Sequence, residues 1–441
     1  MFGTSGIRGA VGEDVTASLF VDVGRAVASG GYERVVVGRD VRDSGEALLE
    51  AFACGVRECG GDVVDLGVVA TPTLARSIAA LEADAGAVVT ASHNPPPDNG
   101  IKLWTPAGKA FGPEARAEIV DRVENERFDF APWDGFGVKR RDVDAADRHA
   151  AALIDAVSLE RPLSVVVDLG NGTGRITPDV LDALGCDVTT LNGQPDGAFP
   201  GRPSEPNRET LGVLMATVEE TDANLGIAHD GDADRLVAVD ETGTFVPKDV
   251  LLALFARDAA GEGDRVAAPV DTSLSVDDAV AEVGAKLTKT PVGDVYVAER
   301  ATEPDVVFGG EPSGAWIWPE ETLCPDGPLA ACKLVALVAR DGPLSELVGA
   351  IETYPIRRDA IEVEDNQRVM ARVRKAVISG YDPDDVDTLD GVRVDRDGGW
   401  FLIRASGTQP LVRITAEARS DRRADELETE AREVVERAIG G

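Results

Sequence analysis

Histidine is scarce in this chain of 441 residues: only His93, His149 and His229 occur. A Ser-His-Asp hydrolase needs a histidine beside its nucleophile, and no Gly-x-Ser-x-Gly turn surrounds Ser92, the serine that precedes His93. Successive residues of an extended strand point to opposite faces, so we do not expect His93 to act as the base of Ser92. The sequence therefore argues against a serine hydrolase.

Lysine is also rare, since it supplies only eight of the 44 basic residues, and 79 acidic residues bring the net charge to −35. A field this negative opposes binding to nucleic acids and to anionic membranes. Strong acidity spread along the chain, without an acidic tail, is typical of proteins from salt-loving organisms, in which salt screens self-repulsion. We expect no nucleic-acid partner and stabilisation by molar KCl.

Long apolar runs and paired cysteines are missing. No apolar stretch approaches the ~18 residues needed to cross a membrane. Residues 1–6 lack the basic region and apolar core of a signal peptide. The five cysteines show no C-x-x-C spacing and predict reduced thiols, most of them buried. We expect a cytoplasmic protein without a membrane partner.

Three segments repeat a strand–helix–strand pattern, which is the βαβ unit. The ranges are 34–40, 46–58 and 63–66 in the first segment; 164–168, 178–184 and 187–191 in the second; and 265–270, 276–283 and 286–289 in the third. Right-handed crossovers of this kind place helices on the faces of a largely parallel sheet. The repeats therefore predict three similar α/β domains with mixed sheets.

The C-terminal quarter follows a different pattern. Short strands are expected over 389–394, 400–404 and 411–416, followed by a charged helix over 422–439. Strands this close together predict an antiparallel sheet and a smaller α+β domain. The domains expected are 1–135, 150–245, 246–350 and 356–441.

Nucleotide-binding motifs are absent. The glycine-rich turn at 170–174 follows an expected strand, but the third glycine of G-x-G-x-x-G would fall at Arg175. No P-loop lysine motif occurs in the chain. The sequence therefore argues against a nicotinamide dehydrogenase and a P-loop enzyme.

Residues 90–95, Thr-Ala-Ser-His-Asn-Pro, form the most informative short stretch. They follow an apolar run over 85–89 that predicts a buried strand, which the prolines at 95–97 end. A turn of this kind holds the hydroxyl of Ser92 at a sheet edge, where a reacting group can approach. Ser-His-Asn strings also occur in ordinary turns, because their side chains bond to local backbone.

A second cluster supports a chemical role. Asp230, Asp232 and Asp234 lie between two expected short strands, 225–228 and 236–239. Alternating carboxylates on a tight turn can direct their oxygens at one centre, and oxygen ligands suit Mg²⁺. A hydroxyl nucleophile and a site for a hard cation together indicate phosphoryl transfer.

The same aspartates match positions 1, 3 and 5 of a calcium-binding EF-hand loop, with Glu241 at position 12. Position 6 of that loop must be glycine, and here it is Arg235. No amphipathic helix flanks the turn. The sequence therefore excludes an EF-hand calcium sensor.

Two loops carry groups that suit a phosphosugar. Arg404-Ala405-Ser406-Gly407-Thr408 combines a guanidinium, two hydroxyls and a glycine, and Arg413 on the next strand could reach the same place. Gly309 to Gly314 offers the carboxylate of Glu311 and the hydroxyl of Ser313 to sugar hydroxyls or an amine. Arg8 and Lys102 add two cations near Ser92 in sequence.

With these motifs in this order, the chain resembles the α-D-phosphohexomutase superfamily over nearly its whole length, from the N-terminal Gly-Thr-Ser-Gly-Ile-Arg-Gly to the loop at 404–408. The resemblance implies four domains around a central cleft, which agrees with the repeats. It implies a phosphoserine at Ser92, with Mg²⁺ held by Ser92, Asp230, Asp232 and Asp234. It also implies that Glu311 and Ser313 bind the sugar and that the 404–408 loop binds its phosphate.

The implied reaction interconverts hexose 6-phosphate and hexose 1-phosphate through a hexose 1,6-bisphosphate. Phospho-Ser92 gives its group to the free hydroxyl of the substrate and takes back the other phosphate after the intermediate has turned. Catalytic roles are expected for Ser92, Lys102 and Arg8. Substrate contacts are expected at Arg235, Gly293, Glu311, Ser313, Arg404, Ser406, Gly407, Thr408 and Arg413.

One position departs from the pattern, because many relatives carry a histidine where this chain has Ala315. Lys102 is therefore our leading candidate for the acid/base, which would require a lowered pKa. The Thr-Pro-Val-Gly-Asp stretch at 290–294 is similar to phosphoglucosamine mutases, so we expect glucosamine phosphates as substrate ahead of mannose or glucose phosphates. A silent sugar-phosphate binding protein is the other class left open. We expect the protein to be a monomer or a homodimer.

Overall fold

The computed structural model describes Gly3, residues 6–406 and residues 410–440. These residues form four β-sheets, one after another along the chain, with helices packed against each. No helix among them is long and apolar enough to cross a membrane.

The first sheet has six strands in the order β1-β5-β4-β2-β3-β6. The elements of this unit are β1 (Ile7–Ala10), α1 (Ala17–Ser29), β2 (Arg34–Arg39), α2 (Gly45–Glu58), β3 (Asp62–Val68), α3 (Thr71–Ala80), β4 (Ala85–Val89), β5 (Asp98–Trp104), α4 (Pro113–Glu124), β6 (Lys139–Arg141) and α5 (Ala145–Ala156). Strands β4, β2, β3 and β6 run parallel, whereas β5 is antiparallel to both β4 and β1. Residues 136–149, which the expected bounds leave between the first two domains, contribute β6 to the sheet edge and the beginning of α5.

The second and third sheets have four strands each, in the orders β10-β9-β7-β8 and β12-β11-β13-β14. The second unit consists of β7 (Ser164–Asp168), α6 (Ile176–Ala183), β8 (Asp187–Leu191), α7 (Gly212–Glu219), β9 (Leu225–Ala228) and β10 (Val237–Asp240). The third consists of α8 (Lys248–Ala259), β11 (Arg265–Pro269), α9 (Leu274–Glu282), β12 (Lys286–Thr290), α10 (Asp294–Arg300), β13 (Val306–Glu311), β14 (Ala315–Ile317), α11 (Gly327–Asp341) and α12 (Leu344–Gly349).

The three sheets share one strand order. In each, the first strand of the repeat (β2, β7 or β11) lies between the second and the third, and a fourth strand runs antiparallel beside the third. The first sheet adds β1 and β6 at its edges. The prediction of three similar α/β units with mixed sheets is confirmed.

The fourth sheet is fully antiparallel, in the order β15-β19-β18-β17-β16. Its unit consists of β15 (Ile356–Glu362), α13 (Asn366–Gly380), β16 (Val386–Asp387), β17 (Val392–Arg396), β18 (Gly399–Ala405), β19 (Leu411–Ala418) and α14 (Asp421–Gly440). Helix α14 buries Leu427, Ala431, Val434 and Val435 on one face, which is the spacing of an amphipathic helix lying on a sheet. The predicted C-terminal α+β unit is confirmed.

The cores of the units differ in how they join. The second and third units share one continuous hydrophobic core, in which Phe255 of α8 packs against Trp316 and Trp318. The fourth unit has its own core, and it contacts the third through a small apolar cluster of Val270, Trp400 and Leu402 together with polar pairs such as Ser273 with Glu417. The fourth unit is therefore attached through a smaller apolar contact than the one that joins the second and third.

Candidate active site

Equivalent loops of the three repeats carry the predicted site residues. In each unit the loop in question connects the third strand to its antiparallel neighbour: residues 90–97 after β4, 229–236 after β9 and 312–314 after β13. Ser92, the three aspartates and Ser313 lie on these loops, and Glu311 ends β13. Because the three sheets have the same topology, the same edge of each contributes to one shared site.

Ser92 lies against the aspartate cluster. Its Oγ donates a hydrogen bond to Oδ2 of Asp230 at 2.6 Å, across 138 residues of sequence, and the side chain is fully buried. The residue has φ of +50°, a left-handed conformation that a non-glycine residue adopts at a cost of about 1–3 kcal/mol. The tertiary structure thus places the Ser92 hydroxyl beside the aspartate cluster, as the sequence motifs predict.

His93 lies closer to Ser92 than expected. Its Nδ1 is 3.3 Å from the Ser92 Oγ, because the two residues follow the strand in a turn and do not alternate across it. Burial, followed by the charges of Arg235 and Arg8, lowers the pKa of His93 to about 3. The imidazole is therefore neutral near pH 7. The expectation that strand alternation would point His93 away from Ser92 is wrong.

The three carboxylates of Asp230, Asp232 and Asp234 form a buried group whose nearest oxygens all lie within 4.8 Å of one another. Burial, followed by the charge of Asp232, raises the pKa of Asp230 to about 6, and the same two causes raise the pKa of Asp234. One oxygen each of Asp232 and Asp234 is buried and has no hydrogen-bond partner among the described residues. Clustered, partnerless carboxylate oxygens fit a hard divalent cation such as Mg²⁺.

The proposed EF-hand alternative fails in the structure as well. Glu241, which would be its twelfth ligand, accepts a hydrogen bond from the backbone N–H of Ser345 and lies outside the metal-competent group of the described residues.

Lys102 projects from β5 and is buried. Its Nζ lies 2.5 Å from Oδ2 of Asp294 and 4.6 Å from the centre of the Trp104 ring. Burial favours a lower pKa, but the charges of Asp294 and Asp234 outweigh it, and the pKa of Lys102 lies above its usual value. The lowered pKa expected for an acid/base role is therefore wrong, because the neighbouring carboxylates favour the ammonium form of Lys102.

Arg8 lies on β1, which pairs with β5, the strand that carries Lys102. Its charge acts on the pKa of His93, Lys102 and Asp294, and its Nε is buried without a hydrogen-bond partner among the described residues. Arg8 and Lys102 thus place two positive charges near the serine loop.

The 312–314 loop packs directly on the aspartate loop. Leu236 donates its backbone N–H to the carbonyl of Gly314 at 3.0 Å, and Arg235 forms a β-bridge with Ala315. Ser313 donates its hydroxyl to Glu311 at 2.8 Å. Burial, then the charge of Asp294, raises the pKa of Glu311. The expected sugar-binding pair is therefore next to the metal-competent cluster.

Gly293 caps α10 and has φ of +132°, a conformation that favours glycine. The residue after it is Asp294, the partner of Lys102. This places the Val-Gly-Asp stretch beside the serine loop through a buried ion pair. The sequence around Asp294 does not predict this role, because nothing local indicates a partner 192 residues away.

The expected phosphate clamp lies on the fourth unit. Arg404 pairs with Asp390 at 2.7 Å and lies 3.7 Å from Asp271 of the third unit. Ser406 is buried with its hydroxyl unpartnered among the described residues, and Arg413 is exposed opposite Arg404 in the strand register. Gly407 and Thr408 lie outside the described residues.

Three further residues contact the site and were missed. The hydroxyl of Thr71 donates to Asp232 at 2.7 Å, and Arg42 and Ser204 both donate to the backbone carbonyl of Ser92. The only local signal is the polar pair Asp40 and Arg42 directly after a buried strand. Thr71 begins α3 and Ser204 lies in the loop between β8 and α7, and no sequence pattern marks either residue.

Fold and site together define a four-domain α/β protein in which a buried serine lies beside a cluster of carboxylates. Models of the four domains of the phosphoglucomutase/phosphomannomutase family match residues 1–130, 147–243, 247–354 and 359–434 in order. The chain belongs to this family, and it is a phosphohexomutase.

Individual proteins agree with this assignment. The chain is 47% identical to a probable phosphoglucosamine mutase of Methanopyrus kandleri over 99% of this chain and 98% of that one. It resembles the crystal structure of a phosphoglucomutase/phosphomannomutase family protein from Burkholderia thailandensis, with TM-score 0.89, 31% identity and coverage of 100% and 99%. An N-acetylphosphoglucosamine mutase of Aspergillus fumigatus, solved with GlcNAc-6P and magnesium, shares the fold at TM-score 0.60 and 16% identity, over 99% and 96% of the two chains.

Proposed function

We propose that this protein interconverts glucosamine 6-phosphate and glucosamine 1-phosphate through a phosphoserine at Ser92 and a hexose 1,6-bisphosphate. The observation that carries the proposal is the 2.6 Å contact between Ser92 Oγ and Asp230, at the meeting point of the three equivalent loops. A nucleophile held at a cluster of carboxylates, with cations on the other side, suits phosphoryl transfer.

The residues divide into distinct tasks. Ser92 accepts and returns the phosphoryl group: its oxygen leaves as the substrate hydroxyl attacks phosphorus, and it attacks the other phosphate in the second half-reaction. Arg8 and Lys102 offset the charge on the transferring group. Because Lys102 keeps its proton, it serves as a cation and hydrogen-bond donor and is a poor base.

Asp230, Asp232 and Asp234 would hold Mg²⁺ together with an oxygen of the phosphorylated serine. The ion would supply charge neutralisation at the transferring phosphoryl group. The unpartnered oxygens of Asp232 and Asp234 support this assignment.

Substrate orientation falls to the other loops. Glu311 and Ser313 bind hydroxyl or amino groups of the sugar, while Arg404 and Ser406 bind the phosphate that is not reacting. The apolar part of the contact between the third and fourth units is a small cluster, which would permit the movement that a turning intermediate requires.

The amino sugar is favoured for two reasons. Several full-length relatives, 40–47% identical, carry the name probable phosphoglucosamine mutase. Glu311 also offers a carboxyl group beside the sugar loop that can accept a hydrogen bond from a 2-ammonium group. Mannose or glucose phosphates are the second candidate.

Steady-state kinetics with glucosamine, glucose and mannose 1-phosphates test the proposal, each primed with its 1,6-bisphosphate. We expect the highest kcat/KM with the glucosamine compound. A higher value with mannose or glucose phosphate would reject the amino sugar while leaving the mutase reaction intact.

Mass spectrometry tests the covalent step separately. Protein incubated with bisphosphate should carry an adduct of about 80 Da on the Ser92 peptide, and Ser92→Ala should lose both the adduct and turnover. The variant Ser77→Ala, which removes a buried serine of α3, is the matched control. Full turnover without an adduct on Ser92 would contradict the mechanism, and an adduct without turnover would indicate a silent binding protein.

A further inference from the structure

The carbonyl oxygen of Ser92 is held from two sides. Arg42 Nη2 donates to it at 3.0 Å from within the first unit, and Ser204 Oγ donates to it at 2.7 Å from the second unit. Both donors are buried, with Arg42 wholly inaccessible and Ser204 4% exposed. Two donors on one carbonyl fix the orientation of that peptide plane, and hence the backbone from which the Ser92 hydroxyl projects.

Arg42 holds the remainder of the serine loop as well. Its two terminal nitrogens donate to the carbonyls of Asn94, Pro95 and Asp98 at 2.6 to 2.8 Å, in addition to Ser92. Its Nε donates to Asp40 at 3.0 Å. Every guanidinium nitrogen is therefore engaged, in a planar fork whose geometry a lysine cannot reproduce.

Asp40 closes the network onto Ser92 from its N-terminal side. Its Oδ2 accepts the hydroxyl of Thr90 at 2.6 Å, and Thr90 Oγ1 accepts the backbone N–H of Ser92 at 2.8 Å. Both backbone polar groups of Ser92 are thus fixed by buried side chains. This matters because φ of +50° is unfavourable for serine and persists only where surrounding contacts determine it.

Gly231, between two of the aspartates, makes the contact from the second unit possible. A Cβ at this position would lie 2.6 Å from Ser204 Oγ and 2.8 Å from the carbonyl oxygen of Ser92. Distances this short would separate Ser204 from Ser92. The aspartate loop therefore leaves room for a contact that ties the nucleophile to the unit carrying the carboxylates.

We propose that Arg42 and Ser204 are positioning residues that clamp the Ser92 carbonyl and so hold the nucleophile in its left-handed conformation for phosphoryl transfer. The proposal rests on the phosphoserine mechanism above. In the part of the chain that the structure describes, neither Arg42 nor Ser204 hydrogen-bonds to a residue expected to bind the sugar or its phosphate. Loss of the clamp should therefore slow the chemical step while substrate binding is retained.

The test compares Ser204→Ala with Ser77→Ala. Ser77 is also buried and also donates its Oγ to a backbone carbonyl at 2.7 Å, that of Thr73 on α3. For Ser204→Ala we expect kcat to fall about tenfold, because one hydrogen bond between neutral groups is lost from the clamp. We expect KM to change less than about twofold. For Ser77→Ala we expect kcat and KM close to wild type, and a change in melting temperature similar to that of Ser204→Ala.

Arg42→Lys extends the test, since it keeps the charge and loses the fork. We expect a fall in kcat of about a hundredfold or more, again with little change in KM. If that variant fails to fold, Ser204→Ala decides alone. A kcat of Ser204→Ala within twofold of wild type, or a loss equal to that of Ser77→Ala, would overturn the proposal.

Two controls separate this proposal from the function on which it rests. Wild type assayed in parallel that shows no mutase activity would contradict the proposed function, whereas active wild type with fully active variants contradicts only the clamp. Crystal structures give a readout independent of turnover. In Ser204→Ala we expect the Ser92 hydroxyl in more than one position, and a single position with the Asp230 contact unchanged would count against the clamp.

Discussion

Lys102 Nζ lies 2.5 Å from Asp294 Oδ2, and this buried ion pair joins the strand after the serine loop to the helix after the Val-Gly-Asp stretch. Each partner is the main reason that the other stays charged. The pKa of Asp294 lies below its usual range because Lys102 outweighs the effect of burial, and the pKa of Lys102 is raised in turn. The pair therefore keeps Lys102 in its ammonium form, close enough to the aspartate cluster for the charge of Asp234 to act on it.

Replacing Lys102 with methionine should lower kcat by about a hundredfold or more, because the transferring phosphoryl group loses a fixed cation. Lys109→Met is a matched control, since Lys109 also pairs with an acidic residue of α10, the exposed Glu299. We expect the control to change kcat less than twofold. Equal losses in the two variants would contradict a specific role for Lys102.

The same substitution should also destabilise the fold, because Asp294 would remain buried without a partner, at a cost of about 3–5 kcal/mol. The double variant Lys102→Met/Asp294→Asn should recover much of the melting temperature and none of the activity. Recovery of activity together with stability would show that Lys102 acts only through folding.

Arg404→Lys should raise KM for the phosphosugar by roughly tenfold or more, because lysine lacks the planar fork that binds phosphate with two hydrogen bonds. Arg396→Lys, on the neighbouring strand β17 and paired with Glu430, is the control. Initial-rate measurements over a range of substrate concentrations check this. An unchanged KM would show that Arg404 does not bind the phosphate of the substrate.

The carboxyl group of Asp249 in α8 should make the stability of the fold depend on pH. Burial, followed by the charge of Glu417, raises its pKa to about 6. Since the unfolded chain titrates near 4, the folded state binds the extra proton between about pH 4 and 6, so this residue adds stability as the pH falls through 6. Above pH 7 the charged, buried carboxylate is a net penalty.

Asp249→Asn should therefore raise the free energy of unfolding at pH 8, and this gain should be about 1 to 2 kcal/mol smaller at pH 5. Thermal unfolding in molar KCl at both pH values checks the difference, with the exposed Asp182→Asn as control. A gain independent of pH would show that Asp249 does not titrate in this window.

Removal of divalent cations should abolish turnover and lower the melting temperature, because a ligand bound at 100 times its Kd stabilises the fold by about 2.7 kcal/mol. Adding back Mg²⁺ should restore both. Asp232→Asn should lose the thermal shift, whereas Glu241→Gln should keep it, since Glu241 lies outside the cluster. A shift that depends on Glu241 would revive the calcium-loop interpretation.

Salt should stabilise the protein strongly. With a net charge of −35, self-repulsion in dilute buffer opposes the compact state, and molar salt shortens the Debye length to about 3 Å. We expect the melting temperature to rise by roughly 10 °C or more between 0.2 and 3 M KCl. A melting temperature that does not respond to KCl would contradict the halophilic interpretation.

The regular architecture could be predicted because its signals are local. The strands at 164–168, 187–191 and 225–228 have the predicted bounds, since alternating or continuous apolar runs ended by glycine and polar residues mark them directly. Edge strands such as β1 and β6 escaped prediction. They are short, and they are strands because a neighbour pairs with them, not because of their own pattern.

The sequence by itself determined the repeated βαβ units, the family and the residue types at Ser92 and the aspartates, because side-chain period, turn residues and motif order are written along the chain. Only the tertiary structure decided that Lys102 keeps its proton, that His93 lies beside Ser92 and that Arg42 and Ser204 hold the nucleophile's carbonyl. Protonation and strain depend on charges and donors that come from distant segments, and only packing sets those distances.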